Sequence, residues 1–117
     1  WQGEDGIYRT NPWFDDFGRI PASMHDEFAA AVVQYGKAVE INASALLMND
    51  TYPPAFRPRY VEYLAALKSR GVRFSLGTDS HAWIGTPYYP CLADAAPDLA
   101  ALGLTEEELW SPRGTAD

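Results

Sequence analysis

The stretch "GVRFSLGTDSHAWIG" (71–85) opens as an apolar strand and ends in an aspartate and a histidine two positions apart. Successive side chains of a strand point to opposite faces, so Val72, Phe74 and Leu76 share one face while Ser75 and Gly77 share the other. An extended continuation carries Asp79 and His81 onto that second side. One side of the strand 72–77 is therefore apolar, and the other is small or polar and leads to two potential metal ligands.

Working back from Gly71, Tyr60, Leu64 and Leu67, with Val61 alongside, mark an amphipathic helix that the glycine terminates. Before it, "TYPPAFRP" (51–58) holds three prolines and is expected to be loop. "AVEIN" (38–42) alternates in the same manner as 72–77, with Val39 and Ile41 on one face and Glu40 and Asn42 on the other. A capping box of Ser23 and Asp26 starts a helix over 23–36, in which Phe28, Val32 and Tyr35 recur at helical spacing until Gly36. Helix and strand thus alternate with short junctions, the pattern of a parallel α/β sheet with crossover helices. An open doubly wound sheet carries apolar residues on both faces of its strands, whereas a barrel spares its inner face near the mouth for polar groups. The polar side of both strands points to a fragment of a barrel, with 38–42 and 72–77 as adjacent parallel strands.

Outside this unit the chain is less regular. Residues 1–22 mix glycine and proline with Trp1, Tyr8, Trp13, Phe14 and Phe17 and form an aromatic-rich loop without periodicity. "TPYYPC" (86–91) is loop, 92–102 is helical with an interruption at Pro97, and Thr105 with Glu108 caps a last helical turn. The organisation expected is a loop over 1–22, a partial barrel over 23–110 and a frayed tail over 111–117. The chain starts at Trp1 with neither an initiator methionine nor a leader pattern, as a piece of a longer protein would.

Charge and composition narrow the function classes. Nine Lys and Arg stand against 16 Asp and Glu, a net charge of −7 that repels phosphate backbones and acidic membrane surfaces. Nucleic acid and membrane are therefore not expected partners. The lone Cys91 forms no internal disulfide, no apolar run is long enough to cross a bilayer, and a reducing, cytoplasmic setting fits best.

Active sites of parallel barrels form at the carboxyl ends of the strands, where Glu40 and Asn42 and, beyond the second strand, Asp79 and His81 lie. Carboxylate oxygen and neutral imidazole nitrogen suit Zn²⁺, Mn²⁺ or Fe²⁺. The pattern alone leaves a second reading open, in which Asp79 caps a turn and His81 is a polar surface residue. Glu40 fits best as an orienter behind the ligands. Ser80 beside His81 lacks the G-x-S-x-G elbow of a serine hydrolase. His25 is expected to be an exposed helix residue, and Cys91, with no CxxC partner, to be inert.

"AVEINASAL", an amphipathic helix, and then "LKSRGVRFSLGTDSHAWIG" resemble, in motif and in order, the carboxyl-terminal part of the PHP (polymerase and histidinol phosphatase) domain family. The resemblance covers roughly residues 23–110 of the sequence. It implies a distorted (β/α)7 barrel holding two or three divalent metals and hydrolysing a small-molecule phosphoester with an activated water. Asp79 and His81 match the last ligand motif of the family and would be catalytic metal ligands; Glu40 and Asn42 would line the site. The earlier His-x-His, Glu and His motifs of the family have no counterpart here. The parent protein is then expected to be an enzyme, a phosphatase of the histidinol-phosphatase-like kind, and the isolated 117-residue chain to be inactive. Two alternatives are an amidohydrolase-type barrel, against which the Glu-Ile-Asn strand argues, and a non-catalytic α/β module whose aromatic loop is an interface.

Overall fold

The computed structural model describes residues 16–49, 52–77 and 92–111. Its regular elements, in chain order, are α1 (Ala22–Gln34), β1 (Ala38–Asn42), α2 (Phe56–Ser69), β2 (Arg73–Gly77) and α3 (Ala96–Ala101). Single 3-10 turns at Phe17–Arg19, Leu92–Ala95 and Glu106–Glu108 and a π-helical turn at Ala43–Leu47 join them. β1 and β2 pair in parallel, as the alternation predicts, with Val39 opposite Phe74, Glu40 opposite Ser75, Ile41 opposite Leu76 and Asn42 opposite Gly77. The described part of the molecule is a small α/β fold with one parallel strand pair.

Both strands follow helices that end in the same way. Gly36 and Gly71 sit at φ +61° and +88°, which side chains disfavour and glycine accepts. After α1, the Gly36 amide donates to the Val33 carbonyl and the Lys37 amide to that of Val32. After α2, the Gly71 amide donates to Lys68 and the Val72 amide to Leu67. These are paired Schellman bonds; they satisfy orphan carbonyls and turn the chain straight into each strand.

The helix starts differ from the sequence reading. Pro21 is the N-cap of α1 and makes no side-chain cap bond, so Ser23 lies inside the helix and the Ser23/Asp26 box is not formed. A proline costs little there, because the first amides of a helix have no intrahelical partner. The same reason corrects the loop expected over 51–58: α2 begins at Phe56, with Pro58 in its first turn. Pro97 likewise lies at the start of α3, after the Leu92–Ala95 turn, instead of interrupting a longer helix. The Thr105/Glu108 box is present, the Thr105 amide donating to the Glu108 carboxylate at 2.9 Å. That bond lowers the pKa of the Glu108 carboxyl.

The core lies on one face of the sheet. Ile41 and Phe74 pack there with Leu64 and Leu67 of α2 and with Ala29 and Val32 of α1, all nearly inaccessible to water. Burial of this kind contributes about 25 cal/mol per Å² of apolar surface. Phe28 and Tyr35, which recur with Val32 at helical spacing, are 45% and 68% exposed. The helix instead turns its small Ala29 inward.

Phe17 from the turn before α1 stacks on Tyr63 with ring centroids 4.2 Å apart and also meets Phe56 and Tyr60. Tyr52 stacks on Phe56 at 3.8 Å. An aromatic row thus runs along α2. At the other end of the fold, the Trp110 amide donates to the Phe74 carbonyl, returning the chain to β2.

Asp98 is 8% exposed and takes a two-pronged hydrogen bond from Arg57, Nε to Oδ1 at 3.1 Å and Nη2 to Oδ2 at 2.6 Å. This pair fastens the first turn of α2 to α3. Asp98→Ala is expected to cost about 2 kcal/mol, the scale of a charged hydrogen bond whose guanidinium stays partly solvated. Urea unfolding monitored by circular dichroism measures it; an unchanged midpoint would show that the pair contributes nothing.

Candidate functional site

On the face of the sheet opposite the core, the register sets Glu40 beside Ser75 and Asn42 beside Gly77. The alternation places these four residues together as expected. Glu40 is exposed and the other three are half-buried. The Glu40 side chain leans diagonally over Gly77, so that a Cβ added at position 77 would lie 2.9 Å from its Cδ and 3.5 Å from its Cγ and would overlap its Oε1. The carboxylate is thereby carried toward the carboxyl end of β2. Glu40 takes no part in the Arg57–Asp98 and Arg70–Asp26 ion pairs.

Tyr60 reaches the same strand end from α2. It is 4% exposed, and burial pushes its phenol up to about 12. A hydrogen bond from the Asn42 backbone opposes that rise, while the Glu40 charge adds to it. The phenol therefore stays protonated across the neutral range and anchors the end of β1 to α2. Its pKa is raised on folding, so between about pH 10 and about pH 12 the native state keeps a proton that the unfolded chain releases. Stability is then fully present below about pH 10 and falls as pH rises through that window, by on the order of 2 kcal/mol. Tyr60→Phe is expected to remove this component. Urea midpoints at the two ends of the window check it, and an equal alkaline loss in the variant would refute it.

Asp79 and His81, the two ligands expected from the sequence, lie outside the described residues, as do Ser80 and Cys91. Among the described residues no three His, Cys, Asp or Glu side chains converge. His25, expected to be exposed, is half-buried instead. Its Nε2 donates to the Phe17 carbonyl at 2.9 Å, and its Nδ1 shares a hydrogen bond with the Tyr63 hydroxyl, also at 2.9 Å. The imidazole joins α1 to α2 and has no free nitrogen for a metal. No helix among the described residues is long and apolar enough to cross a membrane.

Beyond the end of β1, the π-helical turn and the start of α2 enclose an open cleft of about 460 Å³ lined by Leu46, Met48, Asn49, Tyr52 and Arg57 among others. Sequence reading missed this cleft because proline content marked its wall as loop. It also missed the Arg57–Asp98 pair, whose members are 41 positions apart. Comparison with protein-family models, curated proteins and solved structures finds no match to the chain.

Proposed function

We propose that the chain is the carboxyl-terminal segment of a PHP-type metal-dependent phosphoesterase, with a partial (β/α)7 barrel supplying one side of the site. The observation that carries this reading is the parallel register that gathers Glu40, Asn42, Ser75 and Gly77 on the face opposite the core, at the strand ends from which the sequence runs on to Asp79 and His81. Both expected ligands follow that face within four residues of Gly77. The one-sided placement of α1 and α2 in the core also suits a barrel wall.

The chemistry of the expected ligands suits a divalent ion such as Zn²⁺, Mn²⁺ or Fe²⁺, since Asp79 and His81 would offer carboxylate oxygen and imidazole nitrogen, and the Glu40 carboxylate lies over the end of β2. Such an ion supplies a water of lowered pKa at neutral pH. Asp79 and His81 would hold it, Glu40 would accept a hydrogen bond that orients a ligand or the water, and Asn42 would line the site through its amide. In the reaction the water oxygen bonds to phosphorus, the ester P–O bond breaks, and the alcohol leaves with a proton. The substrate class is a small phosphoester, consistent with an acidic chain that does not attract polyanions.

The direct test is release of phosphate from a generic phosphoester by the full-length protein with and without added Mn²⁺ or Zn²⁺. Metal-dependent release supports the proposal. A protein that binds no such metal and releases no phosphate would be the non-catalytic module instead.

A further inference from the structure

Gly77 is an unusual choice for the last position of β2. Its backbone is not left-handed, unlike that of Gly36, Gly71 and Gly103, so any residue could adopt it. Glycine in a strand is destabilising relative to alanine, because it loses more freedom on folding and packs no side chain. Conformation therefore does not explain it. Space does: all three of the nearest atoms that an added Cβ would meet belong to the Glu40 side chain, and backbone atoms are not among them.

We propose that Gly77 is a positioning residue, whose missing side chain seats the Glu40 carboxylate over the carboxyl end of β2, where it orients the ligands or water of the phosphoester site. This role rests on the phosphoesterase reading above. The register explains the geometry. Glu40 stands opposite Ser75, and a side chain that crosses to the next position on the same face must pass over residue 77. Any Cβ there pushes the carboxylate back toward its own strand or out into solvent. Glutamate is flexible at its far end, so the displacement costs the fold little and is read in function.

The test is a double-mutant cycle in the full-length protein with Gly77→Ala, Glu40→Ala and both together. The readouts are kcat on para-nitrophenyl phosphate with Mn²⁺, thermal midpoint, and the nuclear Overhauser contact between Gly77 Hα and Glu40 Hγ in the wild type. Gly77→Ala is expected to lower kcat about 10- to 100-fold, the range found when partners of metal ligands are disturbed, with an unchanged or raised midpoint. Glu40→Ala is expected to do the same, and the double variant to fall no further than either single one. An active wild type whose turnover survives Gly77→Ala, a Gly77→Ala loss that adds in full to that of Glu40→Ala, or absence of the Overhauser contact would each overturn the role of Gly77 alone. A wild type that hydrolyses no phosphoester would overturn the phosphoesterase reading and the role with it.

Discussion

Replacing Asp79 or His81 with alanine in the full-length protein is expected to lower phosphoester turnover more than about 100-fold, beyond the range typical of residues that only orient ligands. The physical reason is that a lost ligand weakens both the affinity for the ion and the geometry in which its water is held. Cooperative thermal unfolding with an unchanged midpoint is the control for stability. Metal content measured on the purified variants separates a ligand from a group that acts only on substrate. Near-normal turnover in both variants would remove these residues from the chemistry.

The second large effect belongs to the fold. Phe56→Ala is expected to destabilise the protein by about 3–5 kcal/mol, a substantial share of the 5–15 kcal/mol that holds a typical domain together. Phe56 is 2% exposed and is the ring on which Tyr52 stacks, with Phe17 and Tyr60 each at 6.0 Å. Its loss opens a cavity at the junction of α2 with the turn before α1. Phe28→Ala removes the same side chain from the outer face of α1, where it is 45% exposed, and is expected to cost no more than about 0.5 kcal/mol. Chemical unfolding of the two variants side by side checks the contrast. Equal effects would mean that the aromatic row does not organise the core.

Those two phenylalanines also mark the boundary of what can be read from sequence. Strand faces were legible because a period of two needs no partner to be seen: Ile41 and Phe74 are inside, and Glu40 and Ser75 are opposite one another, as the alternation requires. Gly36 and Gly71 were legible as stops for a similarly local reason. α1, by contrast, carries two apolar stripes, Ala29 with Val32 and Met24 with Phe28 and Tyr35. Helical spacing cannot rank them; the small stripe faces inward, and close approach to β1 favours alanine over larger side chains. Pro58 concealed the start of α2, since proline is a breaker inside a helix and harmless in its first turn.

The site shows the same division. That Glu40 and Asn42 share a face with Ser75 and Gly77 follows from alternation once the strands are paired. That Glu40 lies over Gly77 depends on the exact register, which local pattern does not contain. The half-burial of His25 is hidden from the local pattern, because the residues that engage it, Phe17 and Tyr63, come from another turn and another helix. Tertiary contacts of this kind explain that correction.

Titration of the metal-stripped full-length protein with Mn²⁺, following phosphate release from a generic phosphoester, decides whether this is a metal-dependent phosphoesterase. Activity is expected to return with stoichiometric metal, to disappear on chelation and not to return in Asp79→Ala. Phosphate release that is indifferent to chelator, or a protein that remains inert at every metal concentration while folded, would contradict it.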